Sequence, residues 1–129
     1  MPQTARKHRV FVVDDERTIS STLARILCLQ GFDATPFTLP LEALEAARSE
    51  APDLLISDVV MPRLSGVELA IQVQECCPDC KVLLFSGQAT TASMLETANA
   101  NGHHFELLQK PIHPTDLLKR LEATFGLES

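Results

Sequence analysis

The sequence predicts an α/β fold, a doubly wound (βα)5 sandwich built on a five-stranded parallel sheet. Three observations predict it. Five short apolar runs alternate with five segments whose apolar residues recur at helical spacing. Three of the runs are continuously apolar rather than alternating, as in strands covered on both faces. Successive runs are separated by a helix, and such a connection crosses over and leaves its strands parallel.

Each element has its own warrant. The first run, Arg9-Val-Phe-Val-Val13, stops abruptly at Asp14-Asp15-Glu16. Ile19, Leu23, Ile26 and Leu27 then follow helical spacing, and Gly31 stops that helix because it tolerates the left-handed residue past a helix end. A second strand is expected over 33–37, and Pro36 marks it as an edge strand. Thr38 is the expected cap of a second helix that starts near Leu39 and Pro40, with Leu41, Leu44 and Ala47 on its buried face and Pro52 as its stop. The third run, Leu54-Leu-Ile56, ends in Ser57-Asp58. Ser65 and Glu68 have capping-box spacing and open a third helix, with Val67, Leu69, Ala70 and Val73 facing inward and Pro78 closing it. The fourth run covers 81–85 and ends in Ser86-Gly87. A fourth helix is expected over 91–100, with a narrow apolar face of Met94, Leu95 and Ala98. The fifth run, 105–108, ends in Gln109-Lys110-Pro111. Pro114 suits the first turn of a last helix whose core face is Leu117, Leu118, Leu121 and Phe125, up to Gly126.

Composition narrows the function classes. A chain of 129 residues makes one domain, expected over 9–127 behind a flexible leader at 1–8. Apolar residues are 45% and charged residues 22%, which argues against disorder. The net charge of −6 makes nucleic acid and anionic membrane poor direct partners, since both repel an acidic surface. No apolar run approaches the ~18–20 residues that span a bilayer. The apolar stretch behind the basic N-terminus is only 10–13 before two aspartates, too short for a secretory signal, so a cytoplasmic location is expected. Cys28 stands alone, while Cys76, Cys77 and Cys80 cluster around Pro78. A zinc site would need a second pair or histidines at ligand spacing, so these read as thiols around a helix end in a reducing compartment.

The polar residues collect where such a sheet builds its sites, beyond the carboxyl ends of the strands where strand order reverses. In the flavodoxin-like order 2-1-3-4-5, strands one and three are neighbours ~4.8 Å apart. Strand one ends in Asp14, Asp15 and Glu16, strand three in Asp58, strand four in Ser86 and strand five in Lys110. Taken singly, each has a structural explanation: an aspartate after a strand caps or turns, Ser86 before Gly87 makes a turn, and Lys110 is a solvated loop lysine. Their coincidence at one edge is what asks for chemistry. Crowded carboxylates repel one another unless a cation lies among them or one holds a proton. Oxygen-only donors favour Mg²⁺, Mn²⁺ or Ca²⁺, and Mg²⁺ often completes its shell with phosphate oxygens. A carboxylate can attack phosphorus to give an aspartyl phosphate, with a hydroxyl and a lysine to hold the phosphoryl oxygens. The charged residues Glu42, Glu45, Arg48, Glu50, Lys119, Arg120 and Glu122 fall on outer helix faces, and His103 and His104 lie in a loop before strand five as solvated residues.

The segments Val12-Val-Asp-Asp-Glu16, Asp58-Val-Val-Met-Pro-Arg-Leu-Ser-Gly66, Ser86-Gly87 and Lys110-Pro111 together resemble the receiver domain of a two-component response regulator, a stand-alone, CheY-like one. Asp15, Asp58, Ser86 and Lys110 follow one another at intervals of 43, 28 and 24 residues, as in that family. The resemblance implies that Asp58 is the phosphoacceptor, taking a phosphoryl group from the phosphohistidine of a histidine kinase or histidine phosphotransfer protein. It implies that Asp15 binds Mg²⁺ directly, with Mn²⁺ as a substitute, that Asp14 does so through water, and that Asp58 and the Val60 carbonyl complete the protein ligands. Ser86 matches the hydroxyl that holds the phosphoryl group, and Lys110 the lysine that neutralises it, with a cis Lys110-Pro111 bond. A downstream protein would dock on the face of the fourth helix, fifth strand and fifth helix.

Two departures bear on these expectations. Serine stands at position 86 where threonine is commoner, which keeps the hydroxyl. Leu107 occupies the position, three before the lysine, that usually carries the aromatic switch residue, and Phe105 lies five before it. Signalling by a swinging ring is therefore not expected, whereas phosphorylation is. The chain stops just after its last helix, so no output domain is expected to follow. Beyond Mg²⁺-dependent self-phosphorylation and autodephosphorylation no enzyme activity is expected. A phosphohydrolase would want an acid two residues after the nucleophile, and Val60 is there. The alternative is a degenerate receiver acting as a phosphorylation-independent adaptor, which would have no need of Asp15, Asp58, Ser86 and Lys110.

Overall fold

The computed structural model describes residues 7–61, 64–86, 105–109 and 113–126. Five strands, β1 (Arg9–Val13), β2 (Asp33–Phe37), β3 (Leu54–Asp58), β4 (Lys81–Ser86) and β5 (Glu106–Gln109), form one parallel sheet in the order β2-β1-β3-β4-β5. Four helices are described: α1 (Arg17–Leu29), α2 (Pro40–Ser49), α3 (Gly66–Cys76) and the C-terminal α4 (Pro114–Phe125). The expected helix at 91–100, the histidine pair, Gly87 and the Lys110-Pro111 bond lie outside the described residues. The doubly wound α/β architecture and its strand order are those predicted.

Burial explains the continuous apolar runs. β1, β3 and β4 are buried almost throughout, because the core divides into two clusters, one on each face of the sheet. Phe11, Leu55 and Leu84 point into one cluster with Leu69, Ala70 and Val73 of α3. Val10, Ile56 and Phe85 point into the other with Leu27, Leu117 and Leu121. β2, carrying Pro36, is an edge strand and is largely exposed.

Most local signals act as the sequence predicts. Ser65 Oγ accepts the Glu68 N–H at 3.1 Å, while Glu68 Oε1 accepts the Ser65 N–H at 3.4 Å, a complete capping box. Gly31 has φ +94° just beyond α1, and Gly126 has φ +67° at the end of α4. Pro114 occupies the first turn of α4.

Two expectations about α2 are corrected. Its N-cap is Leu39, not Thr38, with no side-chain cap. Pro40 takes the first helical position and holds the residue before it extended, at φ −119° and ψ 122°. The buried face is Pro40, Ala43, Leu44 and Ala47, an i, i+3, i+4, i+7 stripe. Leu41 lies outside that stripe and is 57% exposed.

Candidate functional site

The candidate site sits on the carboxyl edge of the sheet, and pairing register brings its residues there. Val13 is paired with Ser57 and Asp58 with Phe85, so Asp14 and Asp58 leave adjacent strands at one level and Ser86 leaves the next strand one residue further along. Asp14 is fully buried, Asp58 is 6% exposed and Ser86 is buried, whereas Asp15 is exposed. Carboxylate oxygens of Asp14, Asp15 and Asp58 lie within 4.8 Å of one another. Among the described residues this is the one group of three or more histidine, cysteine, aspartate or glutamate side chains so close together.

Backbone hydrogen bonds hold these carboxylates in place. The Asp14 N–H donates to the Phe37 carbonyl at 3.0 Å, fixing the end of β1 against β2. Asp14 Oδ1 accepts the Glu16 N–H at 2.8 Å, which turns the chain into α1. Asp58 Oδ1 accepts the Val60 N–H at 3.3 Å. Val59 N–H donates to the Phe85 carbonyl at 3.0 Å, so the loop after β3 stays tied to β4. Val60 itself is 45% exposed beside the cluster.

Two residues that the sequence reading passed over shape the site. Ser57 is buried, and its Oγ donates to the Asp58 carbonyl at 2.9 Å. Gly66 packs on the same carbonyl so closely that a Cβ there would collide with Asp58 O and stand 2.8 Å from Asp58 C. Its N–H donates to the Val59 carbonyl at 2.8 Å, so α3 begins directly against the end of β3. Glycine at the start of an otherwise well-capped helix was the available signal, since a helix gains nothing from it unless a backbone must approach closely.

Among the described residues the donor set is all oxygen, three carboxylates. Such a set fits a hard divalent cation of the Mg²⁺ type. Lys110, expected in the site, lies outside the described residues. Leu107 and Phe105 are both partly buried and pack on the core cluster that faces α3.

A family model described as the response regulator receiver domain matches residues 10–122. The chain belongs to the response regulator receiver domain family. It is 32% identical over 115 residues to response regulator MprA of Mycobacterium ulcerans, a match that covers 89% of this chain and 49% of that protein. The receiver therefore spans about half the length of the curated relatives it matches. Among solved structures, the chemotaxis protein CheY4 of Vibrio cholerae is similar at TM-score 0.80 and 26% identity, over 92% of this chain and 98% of that one. A CheY-like receiver domain protein from Methanospirillum hungatei superposes at TM-score 0.83 over 92% and 94% of the two chains; at 24% identity that likeness speaks to the fold. No helix among the described residues is long and apolar enough to cross a membrane.

Proposed function

We propose that this receiver accepts one phosphoryl group on Asp58 from a phosphohistidine of a histidine kinase or histidine phosphotransfer protein, and so changes its binding to a downstream protein. The observation that carries this reading is the convergence of Asp14, Asp15 and Asp58 within 4.8 Å at the switch point of the sheet. An Asp58 oxygen attacks phosphorus, the P–N bond breaks, and the imidazole nitrogen keeps its electron pair as it leaves. Asp14, Asp15, Asp58 and the Val60 carbonyl would hold Mg²⁺. When bound, that ion supplies positive charge to the phosphoryl oxygens and relieves the mutual repulsion of the carboxylates.

The chain's own residues do the positioning. Ser57 and Gly66 fix the Asp58 main chain, and the Val60 N–H holds Oδ1, which orients the carboxylate. Ser86 ends the neighbouring strand and is assigned the hydroxyl that binds the phosphoryl group, with Lys110 as its countercharge. Val60 follows Asp58 by two positions and cannot donate or accept a proton, which supports slow autodephosphorylation rather than phosphohydrolase turnover. The downstream partner is assigned to the face that includes β5 and α4, together with the helix expected over 91–100.

The test is incubation with a small phosphodonor and Mg²⁺. One acid-stable, base-labile phosphoryl group per chain is expected on wild type and none on Asp58→Asn. Uptake by Asp58→Asn at the wild-type rate would overturn the assignment.

A further inference from the structure

The phosphoryl site leaves one group of nucleophilic side chains unused, at the far end of α3. That helix ends at Cys76, and Cys77 follows with its N–H on the Val73 carbonyl at 2.7 Å. The Cys80 N–H then donates to the Cys77 carbonyl at 3.0 Å, closing a turn through Pro78 and Asp79. The cysteines are free; Cys76 is exposed, while Cys77 and Cys80 are buried. The Sγ atoms of Cys76 and Cys77 lie 3.5 Å apart. Carbonyls hold both thiols from outside the pair, Val73 O for Cys76 and Ala47 O for Cys77, each at 3.4 Å.

Two fates are open to adjacent thiols: closure to a disulfide, or capture of a thiophilic centre. Geometry disfavours the first. Neighbouring Cα atoms are at most about 3.8 Å apart, below the ~4.4–6.8 Å of ordinary disulfides. Geometry favours the second. Two thiolates bound at about 2.3 Å and a near-tetrahedral angle stand about 3.8 Å apart. The pair, at 3.5 Å, needs a shift of only a few tenths of an ångström. Zinc would want four such ligands. Among the described residues no third histidine, cysteine or carboxylate side chain joins the pair in a group within 4.8 Å. A centre satisfied by two thiolates is what remains.

We infer that Cys76 and Cys77 form a two-thiol binding site for a thiophilic trivalent metalloid, independent of the phosphoryl site. The chemistry balances without an oxidant. A monosubstituted arsenic oxide, R–As=O, exchanges its oxygen for two sulfurs: two As–S bonds form, the arsenic–oxygen bonding is lost, and both thiol protons leave with that oxygen as water.

The experiment treats the folded 129-residue chain with phenylarsine oxide and follows intact mass and free-thiol count. The expected result is one phenylarsenic bridge and the loss of two of the four thiols. The bridge should survive excess monothiol and be removed by a competing dithiol. Cys76→Ser, which alters an exposed side chain, should weaken capture at least about tenfold, because the second sulfur acts at high effective concentration. Cys77→Ser should do the same, and Cys80→Ser should leave capture unchanged. Loss of capture in Cys80→Ser with retention in Cys76→Ser would overturn the assignment. So would a bridge that forms only after unfolding in urea, since the fold would then hide the pair rather than present it.

Discussion

Replacing Gly66 by alanine tests how tightly α3 is seated on the end of β3. The added Cβ would collide with the Asp58 carbonyl oxygen and stand 2.8 Å from its carbon and 3.0 Å from Ser57 Oγ. Comfortable carbon contacts are about 3.5–4.0 Å, so an atom must move by roughly 1 Å. Asp58 cannot yield cheaply, because β3 is paired to β1 on one side and β4 on the other. The helix start must therefore retreat, and the Gly66 N–H to Val59 carbonyl bond of 2.8 Å goes with it. Overpacking costs about 1–3 kcal/mol and the hydrogen bond about 1 kcal/mol. The better helix propensity of alanine returns at most about 1 kcal/mol. A net loss of about 1–3 kcal/mol is expected, a fall in Tm of roughly 4–12 °C for a domain of this size. Urea unfolding followed by circular dichroism reads the stability. Phosphorylation of the folded fraction by a small phosphodonor reads the site, and its rate should fall as Asp58 and the Val60 N–H shift. A Gly66→Ala protein within about 0.5 kcal/mol of wild type would refute the reasoning, because that is the range of an unconstrained surface change.

Two further outcomes follow from the same structure. Asp15→Ala should weaken Mg²⁺ binding by about tenfold or more and raise the Tm of the metal-free protein, since one of three mutually repelling carboxylates is gone; unchanged affinity in a Mg²⁺ titration would count against direct ligation. Burial pushes the Cys80 thiol from 9.0 up to about 12, so the folded state holds that proton more tightly than the unfolded chain does. Its contribution is complete below pH 9 and is lost between about pH 9 and 12, so Cys80→Ala should flatten the alkaline fall in stability over that window. An equally steep fall in the variant would show that other groups cause it.

Some of this protein was legible in the residues alone. Runs of apolar residues ending in Asp14, Asp58 and Ser86 announced a covered parallel sheet with polar strand ends, because each signal is local and periodic. The capping box at Ser65 and Glu68 and the glycine stops at Gly31 and Gly126 were legible for the same reason: a few consecutive residues satisfy their own backbone groups. The face of α2 was less so. Leu41 and Leu44 share a helical spacing, but only contact with α3 and the sheet decides that Ala43 goes inside and Leu41 out.

What the chain could not disclose by itself depends on atoms brought together from distant positions. That Asp14 is buried and Asp15 exposed is decided by how β1 continues against β2, through the Asp14 N–H and the Phe37 carbonyl. That Gly66 must be glycine is decided by the Asp58 carbonyl, eight residues earlier, lying where a Cβ would be. The 3.5 Å separation of the Cys76 and Cys77 sulfurs rests on carbonyls of α2 and α3. Periodicity reports which face of an element is apolar, and so determines the order of elements and the edge where function gathers. It carries no information on close approach between elements, because that is a property of packing in three dimensions, where a few tenths of an ångström separate contact from collision.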